Sequence, residues 1–596
     1  MNPRPEALRA DVCVIGAGLV GLYNALQYAK RGMSVVLVDE LTDSKRADYK
    51  VGESLLVFSN AFLRTVGELD EVLSNSFVKQ GFWMAYGLEG KEAFDDSTYE
   101  WGFLAQLPDR WRAHVTSEPM VKAMAGDVQI VRPEVEAALR DVVGKTPEIT
   151  FCDRGLVRDV ELAEGDGDHL VTWRSRDGRS SGTVEARWVI DCAGRGRLLA
   201  RKFGHDVPLD DGFTTSAAWG QFQGCTDEIF DERWEYTFPE GRVIRRDLDT
   251  VHLWGDGYWI WIIRLTEGRV SVGITLDRAR FGEPANLRDT FWEVVRRYPL
   301  LDFLKPEDLL QFHAYKDVQY LTDTYVSERR YALAGDSASI IDAFYSQGLS
   351  LSLAGSWHTA NIVQDDLREG KLDTEYIAHV NRAMLADWRL LRTMVRGKYS
   401  EALRDSRFFI LDHLLDYLIL SAVLLPRYQV ARWLTETGAR PELENGDHVK
   451  LRRKLRRSLF LTQCPPWHVL DPARVARIAE RWHAGLARRA RWRLANGVRL
   501  RPTRAVLRAD AAVPNLWKLP FLRWVRRGEL TPRILREPAF VRVKGTEISP
   551  VLLVVAGFLM VTVNLVALGY DVADTAVRRL WHALRRPFSG RRPAQF

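Results

Sequence analysis

Cysteine is scarce. The chain has five in 596 residues, Cys13, Cys152, Cys192, Cys225 and Cys464, and no two stand at the spacing of a paired motif. That excludes a disulfide framework and a Cys/His zinc site; no metal is expected, and a reducing cytosol fits. Net charge is also small, since 84 basic and 78 acidic residues leave +6. No internal repeat and no low-complexity tract occurs, which excludes solenoid and disordered classes. Ahead of the first apolar run stands only the polar "MNPRPEALRA", without the pattern of a signal peptide.

What is present is a globular composition, 46% hydrophobic and 27% charged, enough for a substantial core. The small net charge hides an asymmetry. The stretch from Pro426 to Lys544 is rich in arginine and poor in acid, densest at "KLRRKLRRSLF" and "ARRARWRL". Its arginines interleave with Leu, Trp and Ala at helical spacing, which suits a lipid surface or an acidic protein; no nucleic-acid partner is expected.

The segment "DVCVIGAGLVGLYNALQYAKRGMSVVLVDE" reads as strand, tight turn, helix, strand, the opening of a doubly wound parallel sheet. Strands and helices then alternate, strands dominate from Ser216 to Leu276, and "RYALAGDSASIIDAFYSQGLSLSLAGSW" returns to strand, loop and helix. The fold class that follows is α/β: a nucleotide-binding, doubly wound, Rossmann-like domain with an inserted, mostly antiparallel substrate sheet. A C-terminal helical region and a membrane-associated tail complete it. The expected domains are a catalytic unit over 1–390, its substrate sheet at about 205–325, a basic helical region over 391–545, and a hydrophobic helix with a basic tail over 546–596.

The tail rests on "PVLLVVAGFLMVTVNLVALGY", Pro550 to Tyr570, which is uncharged and long enough to cross a hydrocarbon layer of about 30 Å. Basic residues flank both ends, Arg542 and Lys544 before, Arg578, Arg579, Arg585 and Arg586 after. The positive-inside rule keeps both flanks in the cytosol, so a surface-lying or re-entrant anchor is expected. The expected location is the cytoplasmic side of a membrane, peripheral or tail-anchored. A buried core helix is the alternative.

"GAGLVG" is a G-x-G-x-x-G turn between a strand and a helix. Gly16, Gly18 and Gly21 let the backbone approach a pyrophosphate at the positive helix end. Asp39, rather than Glu40, closes the second strand where an acid meets a ribose hydroxyl. In "ALAGDSASIIDAF", Gly335 and Asp336 end an apolar strand before a helix, a place for a flavin's ribityl chain. With both motifs in order, the chain resembles FAD-dependent monooxygenases.

Three further segments narrow this: "KVGESLL", "FVKQGFWMAYG" and "GYWIWII". In this order they resemble the flavin-dependent halogenases, nearer the phenol and pyrrole branch, over about residues 10 to 390. The resemblance implies that Gly52, Glu53 and Ser54 lie by the flavin and that Lys79 is the catalytic lysine. It implies that Trp259 and Trp261, on one face of a strand, wall flavin from substrate. It places halide near Ser346, Gln347 and Gly348. The implied cofactors are FAD, delivered as FADH2 by a separate flavin reductase, with halide ion and O2. The implied chemistry is oxidation of halide by a flavin hydroperoxide, passage of hypohalous acid through a tunnel to the lysine, and halogenation there. The acceptor would be an electron-rich aromatic or polyene, lipophilic or held on an acidic carrier protein. Two positions depart from the family: Arg264 stands where it has proline after W-x-W-x-I, and Asp342-Ala343 where it has Asp-Pro. Two alternatives stay open. One is a halogenase-like flavin monooxygenase, dehydrogenase or decarboxylase without halogen transfer; the other is a non-catalytic flavin-binding membrane scaffold.

Overall fold

A computed structural model describes residues 6–67, 69–104, 128–209, 212–419, 471–508 and 550–585. The apolar run before the glycine turn forms strand Glu6–Ile15, and helix α1 (Leu19–Ala29) carries the chain over to Val35–Val38, which pairs parallel with it. The sheet continues in the order 149–152, 35–38, 6–15, 181–191, 331–333, the last four pairings all parallel. Strand Ser181–Asp191 alternates buried and partly buried residues in its first half, where the antiparallel strand His169–Arg174 pairs with it, and is fully buried at its C-terminal end. Helix α2 (Arg132–Lys145) packs beside α1. The doubly wound core expected from the glycine turn is thus the observed one, and its carboxyl edge is where such sheets hold ligands.

The second sheet has eight strands, in the order 309–315, 215–222, 270–277, 258–264, 250–255, 81–86, 99–104 and 504–508. The pairings are antiparallel except 250–255 with 81–86 and 99–104 with 504–508. It therefore extends past 205–325, drawing a hairpin from early in the chain and an edge strand from late in it. Strand Tyr258–Arg264 is buried along its whole length.

Helices cover the remainder. Helix α3 (Gln347–Glu369) returns from the last parallel strand and packs on α1, and α4 (Thr374–Gly397) follows after a left-handed Gly370. Helix α5 (406–419), α6 (Pro472–Ala495) and α7 (Pro550–Arg585) form the C-terminal layer, α6 lying against α4. The expected membrane-associated tail finds no support as a spanning segment. Among the described residues no helix is long and apolar enough to cross a membrane. The hydrophobic run is the first part of one continuous helix whose second part is charged. Asp571 of α7 is fully buried, bonded by Arg493 at 2.8 Å and by Arg489 at 2.5 Å, both on α6. Those pairs tie α7 to the protein body. The segment "KLRRKLRRSLF" lies outside the described residues.

Candidate active site

A cavity of about 650 Å³ runs from the glycine turn to the second sheet, within the size range of small-molecule sites. At one end Gly16 has φ +97, and a Cβ there would sit 2.4 Å from the Cys192 carbonyl oxygen. A Cβ on Gly21 would sit 1.8 Å from the Gly16 carbonyl oxygen. Both glycines are thus required by close backbone approach. Gly18 differs: a Cβ there would meet nothing within 4 Å. It caps α1 with no side-chain hydrogen bond, and the helix has no acid in its first turn. Its unfilled space at a helix N-terminus suits a pyrophosphate.

Asp39 lines this end, one oxygen accepting the Ala17 N–H at 2.7 Å and the other Lys45 Nζ at 2.8 Å. Glu40, also on the cavity, pairs with Arg176. Gly335 has φ +64. Asp336 lines the cavity and is exposed to it. Burial raises its carboxyl, and Arg132 and Arg195, which line the same space, draw it back. Their charges would also offset those of a diphosphate bound there. Asp191, fully buried, fixes the turn between them, accepting from the backbone of Ala193 and Leu199 and from the Ser337 hydroxyl. These residues fit FAD: two glycines that exclude side chains, one that leaves room, a helix end and convergent cations.

At the other end Trp259 and Trp261 stand side by side on the cavity, ring centroids 5.6 Å apart. Trp261 Nε1 donates to Ser271 at 3.3 Å, and Trp259 Nε1 to the Tyr399 hydroxyl at 2.7 Å. Tyr399 in turn donates to Asp342 at 2.8 Å. Burial pushes the Asp342 carboxyl up to about 7, against the hydrogen bond from Tyr399 and the backbone N–H groups of Phe344 and Ala343. Gly52 has φ +102 and Glu53 is buried, its Oε1 accepting from Gln221 at 2.5 Å and Ser271 at 2.9 Å. Burial raises Glu53 above the usual carboxylate range.

Lys79 is buried, 4% exposed. Its Nζ donates to Ser54 Oγ at 2.8 Å and lies 3.4 Å from Thr250 Oγ1. Ser54 and Thr250 both line the cavity, so the amine lies just behind the cavity wall. Asp249 is fully buried beside it, and both its carboxylate oxygens lack a hydrogen-bond partner among the described residues. Burial lifts its carboxyl well above the usual range while the Lys79 charge pulls it down. His252, on the cavity and against Trp259, is kept neutral by burial, its pKa lowered to about 3.

Ser346 and Gly348 line the cavity at the N-terminus of α3, whereas the Gln347 side chain turns back to the Tyr345 carbonyl at 3.0 Å. Arg264 continues its strand and finds partners: buried Asp247 at 2.6 Å, exposed Asp227 at 2.5 Å, and the buried Phe230 ring face at 4.4 Å. Sequence reasoning missed Asp249, His252 and Tyr399. Tyr399 comes from the end of α4, 57 residues beyond the Asp342 it holds, and no local pattern announces it.

An FAD binding domain family matches residues 9–234. Curated relatives include the flavin-dependent halogenase ptaM of Pestalotiopsis fici, 27% identical over 379 residues, 61% of this chain and 65% of that one. Another is the flavin-dependent halogenase armH3 of Armillaria mellea, 24% identical over 415 residues, 66% of this chain and 75% of that one. The chain thus spans just under two thirds of the first relative's length. A mutant of halogenase PltM in complex with FAD shares the fold at TM-score 0.62 and 18% identity, covering 88% of this chain and 97% of that one.

Proposed function

We propose, for a chain that belongs with the flavin-dependent halogenases and is an FAD-dependent oxidoreductase, that it is a two-component halogenase of electron-rich aromatic or polyene substrates. The observation that carries the reading is Lys79, a buried amine hydrogen-bonded to Ser54 and Thr250, which line the cavity. Lone lysines are ordinarily solvated; burying one costs several kcal/mol, of order, unless it is paired or used.

Gly16, Gly18 and Gly21 would hold the FAD pyrophosphate, with Lys45, Arg132 and Arg195 offsetting its charge and Asp336 accepting a ribityl hydroxyl. Reduced FAD, renewed by a separate reductase, supplies the electrons that reduce O2 and so the oxidising equivalent for halide. The halide would rest at Ser346 and Gly348, where the end of a 23-residue helix favours an anion. Trp259 and Trp261 exclude the acceptor from that compartment, so oxidant does not meet it directly. Lys79 Nζ, oriented by Ser54 and Thr250, donates to the oxygen of hypohalous acid or carries the halogen itself, fixing where the electrophile meets the acceptor. Asp249, buried off the cavity and beside Lys79, would exchange a proton with the Lys79 amine.

The test is the product mass formed by the full chain with FAD, a flavin reductase, NADH, oxygen and chloride or bromide. A halogenated phenol or polyene, absent without halide, is expected. An oxygenated product formed equally fast without halide would replace this reading with a halogen-free flavin oxidoreductase.

A further inference from the structure

The C-terminal layer contains a buried ion quartet outside the flavin cavity. Lys398, Asp412 and Asp416 have no exposed side-chain surface, and His483 almost none. Lys398 Nζ bonds Asp412 and lies 2.8 Å from Asp416; His483 Nδ1 lies 2.7 Å from Asp412 and its Nε2 3.2 Å from Asp416. With His483 protonated, two cations face two anions. Burial pulls both cations toward neutrality, and the two carboxylates outweigh it, raising Lys398 and raising His483 to about 9. A quartet balanced in charge, with Asp416 Oδ1 and His483 Nε2 left without a hydrogen bond among the described residues, is costly to build and needs a reason.

Two arms run from it to one short segment of the cavity wall. Tyr399 is the chain neighbour of Lys398, and its hydroxyl donates to Asp342 at 2.8 Å. Asp416 accepts the Tyr345 hydroxyl at 3.2 Å. The segment 342–346 is thereby held at both ends. It also needs holding: Tyr345 and Ser346 are consecutive non-glycine residues at φ 62 and φ 52, a left-handed backbone that L side chains adopt only when their surroundings enforce it. The Tyr345 ring packs edge-on to Phe82, 6.1 Å between centroids, which supplies contact but no polar anchor. Ser346 then caps α3.

We infer that the Lys398–Asp412–Asp416–His483 quartet is a clamp that sets the Asp342–Ser346 turn, with Tyr345 and Asp416 as positioning residues for the halide seat at the start of α3. This rests on the reading of Ser346 and Gly348 as that seat. The clamp gives the C-terminal helices a part in the reaction although none of their charged side chains in the quartet touches the cavity.

The experiment compares the full-length flavin holoenzyme with Tyr345→Phe, which removes one oxygen and keeps the ring, and with Asp416→Asn. Two quantities are read: the chloride and bromide KM of halogenation against kcat, and the halide titration of the bound flavin's absorption spectrum. The clamp predicts a halide KM and a spectral midpoint raised about tenfold in Tyr345→Phe, kcat within about twofold, and FAD affinity kept. Asp416→Asn should move the same way or further; should it fail to fold, Tyr345→Phe carries the test alone. A merely structural role would lower the melting temperature and leave the halide KM of the folded holoenzyme unchanged. An unchanged halide KM in Tyr345→Phe, with a wild type that halogenates, overturns the clamp alone. A wild type with neither halogenated product nor a halide response of its flavin overturns the clamp and the function on which it rests.

Discussion

Gly18 and Gly21 stand three positions apart and answer to different constraints. A methyl on Gly21 would collide with the Gly16 backbone, whereas one on Gly18 would enter unfilled space. Gly18→Ala should therefore leave the melting temperature of the flavin-free protein within about a degree and lower FAD affinity at least tenfold; a loss of about 1.4 kcal/mol of binding is that factor. Gly21→Ala should lower both. Flavin fluorescence titration with a thermal melt separates the cases, and an unchanged FAD affinity in Gly18→Ala would remove the pyrophosphate from that end of the cavity. These glycines were readable from sequence because each owes its role to a local turn. Lys79 was readable only through the resemblance of its surrounding phrase. Asp249 was not readable at all: its significance is the company of Lys79, which lies on another element. Arg264 shows the same limit. Its partners Asp247 and Asp227 lie 17 and 37 residues away on two separate turns, and the strand stays intact.

Between elements, the charged contacts are where pH acts. His483 of α6 binds its proton more tightly in the folded protein, about 9 against an ordinary 6.5, because Asp412 and Asp416 of α5 outweigh its burial. A folded-state pKa above the unfolded one contributes stability that is complete below pH 6.5 and is lost as pH rises through about 9. Wild-type protein should lose melting temperature across that window. His483→Gln should melt lower at pH 6.5 and change less between pH 6.5 and 9.5. Parallel pH profiles for the two proteins would show that His483 does not carry the proton. The pairing of elements was only partly readable. Parallel order follows from strand–helix–strand patterning, so the first sheet was expected; the second sheet gains 81–86, 99–104 and 504–508 through pairings between segments far apart in the chain. Local alternation cannot specify such partners.

Across the whole molecule, the surface of α7 over 561–584 inverts what its composition suggests. Its polar residues Asn564, Asp571 and Thr575 face the protein, and Val563, Val566, Tyr570, Val577, Leu580 and Leu584 are exposed. Hydropathy alone marked the run for lipid because it registers apolar content but not which face is anchored by ion pairs. An outward apolar stripe beside arginines is the pattern by which a helix would lie on a membrane rather than cross it. The full chain should therefore float with anionic vesicles, and Val566→Asp with Leu580→Asp should abolish flotation while leaving flavin binding intact. Wild-type protein that stays at the bottom of the gradient would remove the membrane from the account.

The central claim is that one cavity separates the making of an oxidant from its use, with Lys79 as the point of transfer. Its most direct test is Lys79→Ala, assayed for halogenated product, oxygen consumption and peroxide release. Product should vanish while oxygen is still consumed and peroxide accumulates. Loss of both activities, or of neither, would contradict it.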